Sequence, residues 1–456
     1  MNFTFLECHY FFMSNNNLSK TTDIPLYPVL MVNFIGMLGY SIIMPFLVFL
    51  VNRFGGNEFI YGLVGSIYPA FQFFGAPILG RLSDRYGRKK ILMISQAGTL
   101  IAWMIFIVAL IVPVESITSV ESGAVGSFII TLPLLLLVFA RALDGLTGGN
   151  ISVANAYLSD ISNDENRKAN FGKMAMSASL GFIIGPALAG ILGATVYREL
   201  LPVAGAALIS VIALYFIWFH LPESKARLVD PDMKRPRIRK IFAVENKECY
   251  KMKNCQDTTW KAVFNLPNIP FMLLLYFLVF LAFSLFFAAF PMHALKTLGW
   301  NSFQLGLFFS ILSGLMIMVQ GPLLTLLSKH YSDQSLVLIG SLFLVAAFTF
   351  LVSNNTLIIY SSAALYALGN GLMWPSYLSI LSKFGGDKQQ GSVQGVANSA
   401  GSFASIIGLI CGGFLYGLMG SVTFVIAAFI LFVIFLLSFN LIRIGKVTLE
   451  NTRNPE

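Results

Sequence analysis

The sequence predicts an all-α polytopic membrane protein with twelve transmembrane helices arranged as two pseudo-symmetric six-helix bundles. Three observations predict it. Of 456 residues, 56% are hydrophobic and only 11% are charged, with a mean hydropathy of +0.76. A soluble domain carries about 25% charged residues, so this chain has too much apolar surface for a water-facing globule. Apolar runs of about 20 residues, enough to cross a bilayer, recur twelve times. The basic residues also collect on alternate connections between those runs.

Residues 1–27 form a polar tail. Its first twelve residues, MNFTFLECHYFF, lack the basic start and small-residue cleavage site of a secretory signal. Met13 opens the polar stretch SNNNLSKTTD and is a candidate start. Six spans follow within 28–220, near 28–51, 59–79, 90–112, 128–158, 171–193 and 200–220. Residues 221–266 are the one long polar stretch, with eleven Lys or Arg against six acids. Part of it, PDMKRPRIRK (231–240), fits either a plain solvated linker or a segment lying on anionic lipid. Six more spans fill 267–443, near 267–291, 302–328, 335–353, 356–383, 391–417 and 421–443, and 444–456 form a tail.

Charge sets the orientation. Residues 80–90, GRLSDRYGRKK, hold five basic residues and form a tight connection between two spans. Lys and Arg flanking membrane helices mark the cytoplasmic side. With 80–90 in the cytoplasm, cytoplasmic segments hold 26 of the 30 Lys and Arg. Outer loops hold Arg53, Arg198 and Lys296, and Arg141 lies inside a span. Both termini then face the cytoplasm, and the expected location is the cell (inner) membrane. The net charge of +9 follows from this topology and needs no nucleic acid.

The two halves carry weak repeats. Arg141-x3-Gly145 in the fourth span corresponds to Leu365-x3-Gly369 in the tenth. Asp164 stands eight residues before Gly172, and Asp387 eight before Gly395. GPLLTLLSKHYSDQS (321–335) falls where a second, decayed copy of the basic connection belongs. Parallel halves of this kind imply one bundle rocking against the other around a central site.

Several segments resemble one family. Residues 80–90 are similar to the connection between the second and third spans of the major facilitator superfamily, roughly G-x-L-[AS]-D-R-x-G-R-[KR]-[KR]. RALDGLTGGN (141–150) resembles its fourth-span motif, and GFIIGPALAG (181–190) resembles the fifth-span pattern G-x3-G-P-x3-G of drug:proton antiporters. GGNISVANAYLSDIS (148–162) and GDKQQGSVQGVANS (386–399) resemble the tetracycline-efflux branch in particular. The resemblance implies the major facilitator fold and alternating access. It also implies a lipid-embedded exporter of small drug-like or amphiphilic molecules in exchange for protons; no sequence feature argues for an oligomer, so a monomer is expected. One departure stands out. In FIGMLGYSIIMP (34–45), Gly39 and Pro45 match the group's first-span pattern, but Gly36 stands where many members carry aspartate. That departure keeps a second reading open, a uniporter or importer of a small metabolite such as an amino acid or organic acid.

The candidate site residues fall into three sets. Gly80, Asp84, Arg85, Gly87, Arg88 and Asp160 are gating candidates. The resemblance implies that the 80–90 segment clamps the outward-facing state through charge pairs with neighbouring helix ends, with Asp160 a partner for one of its arginines; otherwise it sets topology alone. Gly181, Gly185, Pro186 and Gly190 serve either gating or close helix packing. Arg141 and Asp144 are the proton-coupling candidates, three residues apart and therefore on one helix face. Ionisable groups within a membrane span are functional candidates by default; a static ion pair is the alternative. Polar and aromatic residues within spans are the substrate-binding candidates: Asn33, Tyr40, Gln72, Arg141, Asn150, Asn155, Tyr276, Asn370, Trp374 and Asn398. For each, a helix-to-helix hydrogen bond or core filling is the favoured alternative to a ligand contact.

No cofactor or metal site is expected, and an enzyme is the disfavoured class. The histidines His9, His220, His293 and His330 are scattered, and Cys8, Cys249, Cys255 and Cys411 form neither a disulfide framework nor a metal motif.

Overall fold

In lipid every backbone polar group must find its partner within the chain, so long apolar runs fold as helices. A computed structural model describes residues 26–43, 45–148, 150–162, 167–197, 199–224, 264–266, 268–384 and 386–453. The expected start at Met13, most of the 221–266 linker, and Cys8, Cys249 and Cys255 lie outside them, as do the side chains of Asp84, Arg85 and Asn150. Eleven helices among the described residues are long and apolar enough to cross a membrane, and twelve when one bent pair is counted as a span.

The N-terminal half runs α1 (Tyr27–Ile42), α2 (Leu47–Arg53), α3 (Glu58–Tyr86), α4 (Arg88–Ile111), β1 (Ser116–Ser122), β2 (Gly126–Thr131), α5 (Leu132–Thr147), α6 (Asn150–Ile161), α7 (Arg167–Gly193) and α8 (Leu200–His220). The C-terminal half runs α9 (Ile269–Lys296), α10 (Ser302–Met318), a π-helical turn at Val319–Leu323, α11 (Leu324–Leu327), α12 (Asp333–Phe350), α13 (Thr356–Phe384), α14 (Gly386–Met419) and α15 (Val422–Arg453). Lipid-facing stripes identify the outer surfaces. On α15, Val422, Val425, Phe429, Phe432, Leu436 and Phe439 are exposed; their alternating three- and four-residue spacing is one helix face. The inward faces bury Trp103, Phe106, Phe286, Phe290, Phe308 and Phe348.

Four features differ from the sequence reading. The first span, expected as one helix over 28–51, bends by 41° between α1 and α2, where Pro45 supplies no amide donor. The fourth span begins at Leu132 rather than 128, because 116–131 form an antiparallel β-hairpin. Ile117, Thr118, Val120, Ile129 and Ile130 suit strands, Gly126 turns at φ +75°, and Thr131 caps α5 through Leu134 N–H. The basic segment 80–90 is two helix ends meeting at a single residue rather than a loop. α3 runs on to Tyr86, and α4 starts at Arg88. Gly87 makes the joint at φ +95°, a conformation glycine adopts freely. The last span, expected to end near 443, continues as helix to Arg453.

The hairpin is tied to the start of α3. Asn57 Nδ2 donates to the carbonyls of Val125 (2.7 Å) and Ser127 (3.2 Å), while its Oδ1 caps α3 by accepting from Ile60 N–H at 3.1 Å. Ile129 N–H donates to the Gly55 carbonyl at 2.8 Å.

The bundles join along α3 with α14 and α7 with α10. These contacts lie in the half of the molecule away from Gly87. A Cβ on Gly62 would collide with the Leu409 carbonyl and Gly413, and one on Gly306 with the Gly190 backbone. Tyr61 OH donates to the Phe287 carbonyl at 3.2 Å, Phe59 packs edge-on against Phe414, and Lys296 Nζ pairs with Glu58.

Candidate functional site

The fourth span breaks between α5 and α6 around Gly148, and the chemistry gathers at that break. Gly145 and Gly148 are small because α3 passes against them. A Cβ on Gly145 would lie 2.5 Å from the Tyr68 carbonyl oxygen, and one on Gly148 2.7 Å from the Tyr68 hydroxyl. That approach lays the Tyr68 ring under the Arg141 guanidinium, 4.8 Å from centroid to Cζ, a cation–π geometry. Arg141 Nη1 lies 3.8 Å from Asp144 Oδ2, and both side chains are almost fully buried. Arg141 Nε has no hydrogen-bond partner among the described residues.

Asp144 lines a small cavity within the N-terminal half. Its walls include Gly36 and Tyr40 of α1, Tyr68 of α3, Gln96, Thr99 and Trp103 of α4, and Ser210 of α8. About 20 Å³ of it is open to the centre of a water molecule, room for one or two waters. Gly36, the position where the family pattern has an acid, therefore borders the same space as Asp144. The Tyr40 and Tyr68 rings pack 4.8 Å apart.

The other expected binding residues go elsewhere. Asn33 ties α1 to α7, donating to the Met174 carbonyl and to Ser177 Oγ, each at 2.9 Å. Gln72 Nε2 donates to the Gly148 carbonyl at 2.9 Å and to Tyr68 OH at 3.3 Å. Asn155 lies half-buried on α6. In the C-terminal half, Tyr276 OH donates to Asn398 Oδ1 at 2.9 Å, and its ring packs against Phe280, Trp374 and Tyr377. Asn370 Nδ2 lies 3.9 Å from Met316 Sδ, and its Oδ1 is buried without a partner. Of the candidates, Tyr40 lines the N-terminal cavity and Tyr276 and Trp374 share a C-terminal aromatic cluster, whereas Asn33, Asn155 and Asn370 belong to neither.

Three of the gating candidates, Gly80, Arg88 and Asp160, form a network at the Gly87 joint. Arg88 Nε donates to Asp160 Oδ2 at 2.9 Å, and its Nη1 donates to Ser83 Oγ at 2.6 Å. Ser83 Oγ in turn donates to the Gly80 carbonyl at 2.6 Å. Ser224 Oγ donates to the same Asp160 oxygen at 3.0 Å. Glu223 accepts from the backbone N–H groups of Arg88 and Lys89, a carboxylate at a helix N-terminus, where it is favoured. On α7, a Cβ at Gly181 would lie 2.5 Å from the Phe34 carbonyl oxygen, and one at Gly185 would strike Ser41 Oγ. Gly181 and Gly185 thus fit α7 to α1, whereas Gly190 and the carbonyl of the intrahelical Pro186 meet the other bundle at Gly306.

Sequence reasoning missed Tyr68, Gln96, Thr99, Trp103, Ser210, Glu58 and Glu223. Tyr68 stands four residues before Gln72, one helical turn away, which was the available signal. Glu58 and Lys296 carried none, because their helices are 238 residues apart in sequence.

A chain with eleven or twelve candidate membrane spans and a charge pair buried within its N-terminal half is a polytopic membrane protein, and its family is one of secondary transporters rather than enzymes. The chain belongs to the major facilitator superfamily, whose profile matches residues 29–409 and, in a second overlapping match, 321–455. It is similar to the tetracycline resistance protein, class H, of Pasteurella multocida, with 25% identity over 85% of this chain and 88% of that protein. It is likewise similar to major facilitator superfamily domain-containing protein 10 of Bos taurus, with 25% identity over 84% of this chain and 78% of that one. Among solved structures, the human organic anion transporter MFSD10 (TETRAN) superposes with a TM-score of 0.62 at 18% identity, covering 91% of this chain and 99% of that chain. A D-xylose-proton symporter superposes with a TM-score of 0.66 at 14% identity, covering 91% and 96%.

Proposed function

We propose that this chain is a proton-coupled exporter of small amphiphilic or drug-like molecules. It sits in the cell (inner) membrane as a monomer with both termini and the Gly87 joint in the cytoplasm. Residues 28–220 and 267–443 act as two rocking bundles joined by the 221–266 linker. The observation that carries this reading is Asp144, a buried carboxylate 3.8 Å from Arg141 in a cavity bordered by Gly36. A coupling group must change charge inside the membrane, and buried ionisable groups are the natural carriers. Protonation of Asp144 removes its attraction for Arg141, which then relies on the Tyr68 ring face. Arg141 is thereby free to change partners as the bundles move. The similarity to tetracycline resistance proteins over most of the chain supports export. In this orientation the structure has its outer half closed, by α3 against α14 and α7 against α10. Arg88–Asp160 and Glu223 hold the cytoplasmic joint of the N-terminal bundle. The substrate is expected to meet Tyr40 and Arg141 on one side and Tyr276, Trp374 and Asn398 on the other.

The test is accumulation of tetracycline and of a fluorescent lipophilic cation in energised cells, with and without a protonophore. Cells carrying the wild type should accumulate at least threefold less than empty-vector cells, and the protonophore should abolish the difference. Asp144→Asn should remove it as well. Gly36→Asp added to Asp144→Asn should restore part of it, because both positions border one cavity. Proton-driven efflux that persists in Asp144→Asn would sink the assignment of the carrier. A second reading, import or uniport of an organic anion, rests on the unpartnered Arg141 Nε, since a guanidinium suits a carboxylate. Uptake of an anionic probe that ignores the protonophore would select it.

A further inference from the structure

Two residues of α4 that line the Asp144 cavity each carry a buried polar atom without a hydrogen-bond partner among the described residues. Gln96 is 2% exposed and Trp103 is 2% exposed, and both line the cavity. Those atoms are Gln96 Oε1 and Trp103 Nε1. One is an acceptor and the other a donor. They are seven residues apart, with Thr99 between them, so all three share the face of α4 that meets Asp144. Buried polar groups are as a rule satisfied, and ordered water is the usual partner when protein is not. The space open to water centres, about 20 Å³, admits one or two molecules, and the walls offer several polar partners.

We propose that this cavity holds a short file of one or two ordered waters along α4, bonded to Gln96 Oε1 and Trp103 Nε1–H, and that this file is the route by which Asp144 gains and loses its proton. The inference rests on the reading of Asp144 as proton carrier. The step balances simply. The carboxylic O–H of Asp144 breaks as an O–H forms on the adjacent water, and that water releases one of its own protons to the next water or out of the cavity. The return transfer runs in reverse, so no co-reactant is needed. Gln96 is here a positioning residue, because it holds the water rather than the proton. Ser210, Thr99 and the Tyr40 and Tyr68 hydroxyls border the space, and Arg141 is the neighbouring cation.

Infrared difference spectroscopy of the purified protein, titrated with acid and base without substrate, tests this directly. The wild type should show an Asp144 carboxyl C=O band, absent in Asp144→Asn. A weakly bonded water O–H band that shifts in H2(18)O should change with it. Gln96→Met keeps the side-chain length but removes the acceptor. It should lose the water band and slow the carboxyl response to a pH jump at least tenfold. Gln96→Glu, which keeps an acceptor, should retain the band. A Gln96→Met protein with an unchanged water band and unchanged kinetics overturns the inference, whatever its transport. A normal Asp144 band in the purified protein, together with cellular efflux that ignores the protonophore, would instead overturn the transport reading and leave the water file standing.

Discussion

At the scale of single residues, the buried charge pair is held by an aromatic face as much as by its counter-ion. Asp144 lies 3.8 Å from Arg141, longer than a charge-assisted hydrogen bond of about 2.8 Å. The guanidinium also rests 4.8 Å above the Tyr68 ring. A desolvated cation–π contact contributes on the order of 1–2 kcal/mol. Tyr68→Leu should therefore lower the melting temperature in detergent by several degrees. Tyr68→Phe, which keeps the ring and loses only the hydroxyl contact with Gln72, should melt close to the wild type. Equal melting of the two variants would show that the ring face contributes nothing. The pair itself was legible, because Arg141 and Asp144 are three residues apart on an otherwise apolar helix. Tyr68 and Gln96 were not, because only the packing of α3 and α4 against the Gly145–Gly148 break brings them to it.

At the scale of elements, glycines decide which helices touch. Gly181 and Gly185 fit α7 to α1, and the facing pairs Gly62–Gly413 and Gly190–Gly306 let the two bundles meet backbone to backbone. Small residues at helix crossings are the general device for close packing in membranes. Gly62→Val places its branched carbon against the fixed Leu409 carbonyl. Overpacking of this kind costs roughly 1–3 kcal/mol. The variant should shift the population away from the arrangement described here by about five- to a hundredfold. A cysteine pair replacing Glu58 and Lys296, which form an ion pair across this interface, reports that population by cross-linking. Its yield should fall sharply when Gly62→Val is added, and an unchanged yield would refute the steric argument. Most helices were legible from apolar runs. The β-hairpin was not, because its strands flank the polar stretch VESGAVGS and so broke the count into a loop and a premature helix start.

At the scale of the whole molecule, the run of eleven or twelve spans was legible because lipid leaves the chain no other way to satisfy its backbone. The closure between the halves was not. The Glu58–Lys296 and Tyr61–Phe287 contacts join partners more than 200 residues apart, in one conformation of a moving protein, and no periodicity records them. The hairpin of β1 and β2 has a further practical use. Its tip residue Gly123 borders open space, and its base is bolted to α3 through Asn57. A short peptide tag inserted after Gly123 should be bound by its antibody on intact cells, whereas a tag after Glu456 should be bound only once the cells are permeabilised. Because the chain alternates sides at every crossing, this pair of stainings would orient all twelve spans at once. The same rigid mount makes the tip a fixed landmark from which an image-alignment antibody or a distance-reporting dye can follow the N-terminal bundle.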